Sequence, residues 1–163
     1  MPGGTTLTGV VLVSSLAAVV LLGTSAGVHV SGVAALNPAL RALEAPVYVV
    51  AKQSADQHFP VLMRPLTLAG VVALLVQTVS GALAAEEAVA LLGGLGLAAA
   101  LVALAAVLRG DLPINERMAG WAADDVPVDW PRWRERWERF FLARTLATLV
   151  AFAAALAGLT VAT

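Results

Sequence analysis

Two histidines are the first candidates for chemistry in this chain, because imidazole transfers protons and binds metals near neutral pH. His29 lies in a long apolar stretch, and His58 precedes Phe59 and Pro60. Ionisable groups at membrane depth usually face a cavity or the interior of a helix bundle. With a carboxylate such as Asp56 or Glu44, both histidines could form a metal site for iron or copper. Proton transfer or substrate binding, and plain structural hydrogen bonding, are the alternative roles.

A second set of candidates lies in the polar segment 109–144, which contains seven of the ten basic residues and all four tryptophans. Arg144 stands among apolar residues, where an unpaired guanidinium would be costly. It either extends back to the membrane interface or pairs with an acid inside the bundle, and we favour the pair. The candidate partners are Asp56, Asp111 and Glu116.

Aromatic side chains recur at spacings of three and four in the same segment, at Trp130, Trp133, Trp137 and either Phe141 or Phe140. This spacing places them along one stripe of a helix. An interfacial aromatic belt with core packing is the first interpretation of the stripe. A stacking wall for a flat aromatic ligand is the second.

Two amides complete the polar candidates. Gln53 and Gln57 are four residues apart, so they share one helix face. They could line a polar pocket, or they could be exposed amides without a role. Lys52 and Asp56 have the same spacing and suit an ion pair.

The composition indicates which elements must position these residues. Of the 163 residues, 60% are hydrophobic and 13% are charged, against about 45–50% and about 25% in soluble domains. A chain of this length forms one domain, 1–163, and cannot bury so much apolar surface, so lipid must cover part of it. A net charge of −1 gives no sign of a nucleic-acid partner. The absence of cysteine excludes disulfides, thiolate catalysis and cysteine-ligated metals.

Four apolar stretches are long enough to cross a bilayer, which takes about 20 residues each. They cover about 7–30, 66–85, 88–108 and 140–161. The first has no basic segment before it and is too long for a signal peptide, so we expect it to be a true span. The sequence thus predicts an all-α, integral membrane four-helix bundle. A cytoplasmic helical extension, starting at an N-cap on Asn37 before Pro38, joins spans 1 and 2, and a polar loop joins spans 3 and 4.

The basic residues predict the orientation. All ten Lys and Arg residues lie in the loops after spans 1 and 3 or in their helical extensions. The positive-inside rule therefore places these loops in the cytoplasm and both termini outside it, in the cell (inner) membrane. Small residues such as Gly23, Gly27 and Ser31 indicate close helix packing within the monomer or a homo-oligomer.

One set of motifs resembles a known family. The motifs are Pro113-Ile114-Asn115, Trp121, Asp129-Trp130, Arg134-x-Arg136-Trp137-Glu138 and Arg144-Thr145. They resemble the pattern of a largely uncharacterised family of small four-span membrane proteins that includes the fungal anthrone oxygenases. Length and span number are similar as well.

The resemblance implies an oxygenase that converts the central methylene of a lipophilic, anthrone-like aromatic to a carbonyl with O₂. It implies either no cofactor beyond O₂ or a transition metal. The positions that it carries over are Asn115, Arg134, Arg136, Trp137 and Arg144. Relatives often have a histidine where this chain has Phe141, so His58 or His29 would have to replace it, or the chemistry differs.

These observations define a candidate site. The catalytic candidates are His29, His58, Asn115 and Arg144. The substrate-binding candidates are Arg134, Arg136, Trp133, Trp137, Gln53 and Gln57, and the metal candidates are His29, His58 and Asp56. The expected partners are the bilayer and a lipophilic small molecule. The main alternative is a non-enzymatic accessory or scaffold subunit that binds a partner or anionic lipid, and a small transporter ranks third.

Overall fold

The computed structural model describes residues 2–163, with side chains from Thr6 onward. Two π-helical segments, named here the first and second π-segments, connect some of its helices. The elements in chain order are α1 (Pro2–Ser31), the first π-segment (Gly32–Leu36), α2 (Asn37–Arg41), α3 (Ala45–Leu83), α4 (Glu87–Ala106), the second π-segment (Val107–Asp111), α5 (Leu112–Ala119) and α6 (Trp130–Ala162).

Within residues 2–163, four helical stretches are long and apolar enough to cross a membrane. They are Thr6–Arg41, Ala45–Leu83, Glu87–Ala119 and Trp130–Ala162. This confirms the predicted all-α fold with four long apolar helices. Large apolar side chains cover the outer faces, where Val13, Leu83 and Leu91 are all strongly exposed. Lipid is the solvent that suits such a surface.

The four long helices contact one another in a ring. α1 packs on α3 and α6, and α4 packs on the same two helices. One half of the bundle is filled mainly by small and aliphatic side chains, including Ala18, Leu22, Leu74, Ala151 and Ala155. Small residues allow the backbones to approach closely, so van der Waals contact can hold the helices together in lipid.

The junction between the first two spans differs from the sequence prediction. Asn37 is not an N-cap, because its backbone is helical (φ −62°, ψ −45°) and the first π-segment joins α1 to α2 without a break. The break comes later, at residues 42–44, and α3 then runs for 39 residues. A local Asn-Pro pattern predicted a helix start here, whereas the chain continues the helix that precedes it.

The region between the third and fourth spans is also more helical than the predicted polar loop. The second π-segment and α5 extend α4 to Ala119, which leaves only residues 120–129 outside helices. α6 then begins at Trp130 with Pro131 in its first turn. Asp129 precedes the helix, and its Oδ2 accepts a hydrogen bond from Trp133 Nε1 at 2.9 Å.

Each π-segment contains a glycine that faces a phenylalanine ring of α6. A Cβ on Gly32 would overlap the ring of Phe141, and a Cβ on Gly110 would overlap the ring of Phe140. Single turns of π-helix often occur at functional sites, because they rotate the residues that follow them. The two π-segments therefore let α6 approach closely where α2 and α5 begin.

The middle of α3 packs less closely than its ends. No residue from 53 to 69 is buried, whereas Lys52 and Gly70 on either side are. Pro60 and Pro65 lie within this part of the helix. α3 therefore spans an open space beside the π-segments.

A glycine substitution tests the close approach. Gly110→Ala should lower the free energy of unfolding by about 1–3 kcal/mol, the usual cost of overpacking, because the new methyl group meets the Phe140 ring. The measurement is denaturant unfolding in detergent, followed by circular dichroism. Gly27→Ala is the control, since nothing lies within 4 Å of its added Cβ, and it should be neutral or slightly stabilising. Equal stability of both variants would contradict this packing.

Candidate functional site

A cavity of about 700 Å³ lies between the π-segments, the middle of α3 and α6. Most of its lining is apolar, with side chains such as Leu36, Phe59, Met63 and Leu108. The polar lining consists mainly of His29, Lys52, Asp56, Asp111, Asn115 and Arg144. Ligand sites commonly combine an apolar lining with a few well-placed polar groups.

Lys52 is the centre of one polar cluster, and its side chain is only 2% exposed. Its Nζ donates hydrogen bonds to Asp56 Oδ1 at 2.6 Å and to Asn115 Oδ1 at 2.8 Å. The same Nζ lies 4.3 Å from the ring centroid of Trp137, a cation–π distance. The lysine thus links α3 to α5 and α6.

Arg144 forms the second buried ion pair. Its Nη1 lies 2.5 Å from Asp111 Oδ2, and the Asp111 side chain is 2% exposed. The guanidinium also lies 4.6 Å from the ring centroid of Phe141. The predicted internal partner for Arg144 is confirmed as Asp111, while Glu116 is exposed. This pair joins α6 to the end of the second π-segment.

His29 reaches the same cavity from α1. Its side chain is 4% exposed, and its Nδ1 has no hydrogen-bond partner among the described residues. Its ring meets the ring of Phe141 edge to face, with centroids 5.8 Å apart. His29 is one of the residues that line the cavity, and an imidazole on a cavity wall can act as a general base toward a molecule bound there.

The aromatic stripe on α6 divides into two parts. Trp137 and Phe141 are buried with ring centroids 5.1 Å apart, and both line the cavity. Trp133 lies outside the cavity, where Arg117 stacks on it at 4.2 Å. Trp130 contacts Tyr48 instead, at 5.1 Å. Trp130 and Trp133 thus make packing contacts away from the cavity, whereas Trp137 and Phe141 form part of its wall.

Several residues predicted for the site lie outside the cavity lining. His58 is exposed, and its Nδ1 lies 2.8 Å from the carbonyl oxygen of Ser54. Gln57 is also exposed. Gln53 Nε2 donates to the carbonyl oxygens of Met118 at 3.0 Å and Trp121 at 2.9 Å, so it holds the end of α5.

The two arginines of the R-x-R-W-E motif also lie away from the cavity. Arg134 stacks on Trp130 at 4.8 Å. Arg136 is exposed, 5.7 Å from the ring of Trp133. Of the six predicted substrate-binding residues, the structure brings only Trp137 to the cavity wall.

The predicted metal site is not formed. Among residues 2–163, no group of three or more His, Asp or Glu side chains is arranged to hold a metal ion. His29 and Asp56 line the cavity, but His58 does not.

The sequence reading missed Lys52 as a site residue, and it treated Asp111 only as a partner for Arg144. The sequence could have indicated Lys52, because a Lys–Asp pair at i,i+4 is unusual beside long apolar stretches. Its contact with Asn115, 63 positions away, had no such signal. Arg64 at the cavity rim was also missed and is exposed.

No protein-family model, curated protein or solved structure matches this chain.

Removing one partner of the Asp111–Arg144 pair tests its role. Asp111→Asn should lower the free energy of unfolding by about 3–5 kcal/mol, because it leaves a buried guanidinium without a counter-charge. Asp111→Asn/Arg144→Gln should lose less than Asp111→Asn alone. The measurement is unfolding in detergent for all variants.

Arg41→Gln provides the control for this cycle. Arg41 pairs with Glu138, but its side chain is 60% exposed, so its loss should have a far smaller effect. The single variant Arg144→Gln completes the cycle. If Arg144→Gln destabilises the Asp111→Asn chain by as much as it destabilises the wild type, the two residues do not interact.

Proposed function

We propose that this chain is an integral membrane enzyme that oxidises a lipophilic, anthrone-like aromatic with O₂ inside the cavity. The observation that carries the proposal is an apolar cavity of about 700 Å³ whose wall holds the His29 imidazole, the buried Lys52 and the mostly buried Arg144. A flat aromatic molecule partitions into the bilayer and can reach such a cavity past the loosely packed middle of α3. The motif resemblance at Asn115, Trp137 and Arg144 supports the same reaction.

The chain lies in the cell membrane with the cavity in its cytoplasmic half. Arg41, Lys52, Arg64 and the seven arginines of 109–144 all lie toward the cavity end of the bundle. Basic residues are retained on the cytoplasmic side of membranes. Both termini are then extracytoplasmic.

The reaction balances with O₂ as the only oxidant. His29 removes a proton from the methylene carbon, and Arg144 and Lys52 stabilise the negative charge that develops on the conjugated oxygen. The carbanion carbon forms a bond to O₂, and the proton returns to give a hydroperoxide. Loss of the remaining C–H proton then breaks the O–O bond, leaving a carbonyl and one water. The carbon loses four electrons, and O₂ accepts them.

Each cavity residue has one task in this scheme. His29 moves the proton, and Trp137 and Phe141 offer aromatic surface against which the substrate stacks. Asp111 keeps Arg144 at the wall, as Asn115 does for Lys52. Asp111 and Asn115 act as positioning residues.

A second function has a specific observation in its favour. Arg132, Arg136 and Arg139 are exposed near the start of α6, a placement that suits anionic lipid or a partner protein. A non-enzymatic accessory subunit would use this surface. Its test is native mass spectrometry: phosphatidylglycerol retained by the wild type and lost from the Arg-to-Gln triple variant, with no turnover, would favour this function.

Turnover of anthrone by the purified chain in lipid vesicles tests the proposed enzyme. Anthraquinone should form faster than in protein-free vesicles, with one O₂ consumed and one ¹⁸O from ¹⁸O₂ incorporated per product. His29→Ala should lower kcat by about 100-fold or more, the usual effect of losing a general base.

His58→Ala is the matched control, because this histidine is exposed and lies outside the cavity lining. It should leave kcat unchanged, and unfolding curves should show that both variants are folded. Turnover that survives His29→Ala but is lost in His58→Ala would contradict the assignment. Rates equal to those in protein-free vesicles would contradict the enzyme itself.

A further inference from the structure

Four charged side chains form two ion pairs on the buried wall of the cavity. Lys52 is bound to Asp56, and Arg144 is bound to Asp111. His29 is buried and has no carboxylate partner among the described residues, so its neutral form is favoured, because a buried imidazolium without a counter-charge is costly. Two positive and two negative charges therefore cancel, and the buried wall has a net charge of zero.

This sum does not depend on where the protons lie within each pair. If Lys52 passed its proton to Asp56, both groups would become neutral and the total would stay zero. The same holds for Arg144 and Asp111. Only a proton or an ion that enters from outside changes the total.

Arg64 is the remaining charged residue of the lining, and it stands apart from the four. It is exposed at the rim, whereas Lys52 and Asp111 are almost fully buried. An exposed charge is screened by water, ions and lipid head groups. The electrostatic interaction between Arg64 and a molecule at the buried wall is therefore weak.

We propose that the cavity selects a ligand that is electrically neutral when it enters, and that Asp56 and Asp111 set this selectivity by cancelling the charges of Lys52 and Arg144. This inference rests on the proposed function, because it concerns the ligand of the same cavity. The ligand class is a neutral aromatic ketone, phenol or alcohol.

The reason is the cost of an uncompensated charge in a medium of low polarity. A carboxylate or sulfate at the buried wall would lose its hydration and leave a net charge of −1, and an ammonium would leave +1. A neutral weak acid adds nothing to the sum. Its hydroxyl or carbonyl oxygen can still accept a hydrogen bond from Lys52 or Arg144.

The same neutrality suits the first chemical step. When His29 takes a proton from a neutral substrate, the imidazolium and the substrate anion form together inside the cavity, and the total charge stays zero. A ligand already ionised in water would enter without that counter-charge. The wall therefore favours substrates that are deprotonated after binding.

Two ligands of the same ring shape test the selectivity. The probes are 9-anthracenemethanol, which is neutral, and 9-anthracenecarboxylate, which is an anion at pH 7. Binding to the full chain in nanodiscs is measured by equilibrium dialysis, and protein-free nanodiscs correct for partitioning into lipid. The alcohol should bind the wild type at least about tenfold more tightly, a difference of about 1.4 kcal/mol.

Removing one acid should change this preference. Asp56→Asn leaves the buried wall with a net charge of +1, so the Kd ratio should shift toward the carboxylate by about tenfold or more. Asp111→Asn should do the same, and Asp111→Asn/Arg144→Gln, which restores zero, should restore the preference for the alcohol. Asp124→Asn is the matched control, because this aspartate is exposed outside the cavity and should not alter the ratio.

The outcomes separate the two proposals. Binding of the alcohol with equal or tighter binding of the carboxylate overturns the neutral selectivity and leaves the proposed function standing. An unchanged ratio in the Asp56→Asn chain, which retains the buried Asp111–Arg144 pair, overturns the role given to the acids. Failure of both probes to bind the wild type contradicts the cavity as a ligand site, and the proposed function fails with it.

Discussion

Two buried ion pairs, Lys52–Asp56 and Arg144–Asp111, constrain the rest of this structure. A charged group inside a bundle surrounded by lipid is costly, so each one needs a partner nearby. Asp56 lies on the same helix as Lys52, whereas the other contacts join separate elements: Asp111 holds α6 to the end of the second π-segment, and the hydrogen bond to Asn115 holds Lys52 to α5. The helices are therefore fixed around the cavity by polar contacts, and elsewhere by apolar ones.

The bundle accordingly has a closely packed half and an open half. Alanine and leucine fill the first, around Leu74 and Ala151. In the second, α3 spans the cavity without a buried residue between 53 and 69. Gly32 and Gly110 allow Phe141 and Phe140 to approach the π-segments. His29, Asp111 and Asn115 line the same cavity beside these segments. Apolar packing thus encloses the cavity, and the two ion pairs supply most of its charged lining.

The length of the four apolar stretches was sufficient to predict four long apolar helices, because about 20 continuous apolar residues span lipid as a helix that satisfies its own backbone hydrogen bonds. The cost of an unpaired guanidinium was sufficient to predict a buried partner for Arg144. The continuation of α1 through Asn37 was not predicted, since a local capping pattern and a continuing helix compete at that residue. Which histidine faces the cavity depends on helix rotation. Only tertiary packing sets that rotation, so sequence could not separate His29 from His58.

Photo-crosslinking tests most directly whether the cavity binds a lipophilic aromatic molecule. A diazirine-bearing anthrone analogue is irradiated with the full chain in nanodiscs, and the labelled residues are identified by mass spectrometry. Labels are expected on cavity residues such as Phe59, Met63 and Leu108, and they should be lost when unlabelled anthrone is added in excess. Labels confined to outward-facing residues such as Val13 and Leu91, unchanged by that competition, would contradict it.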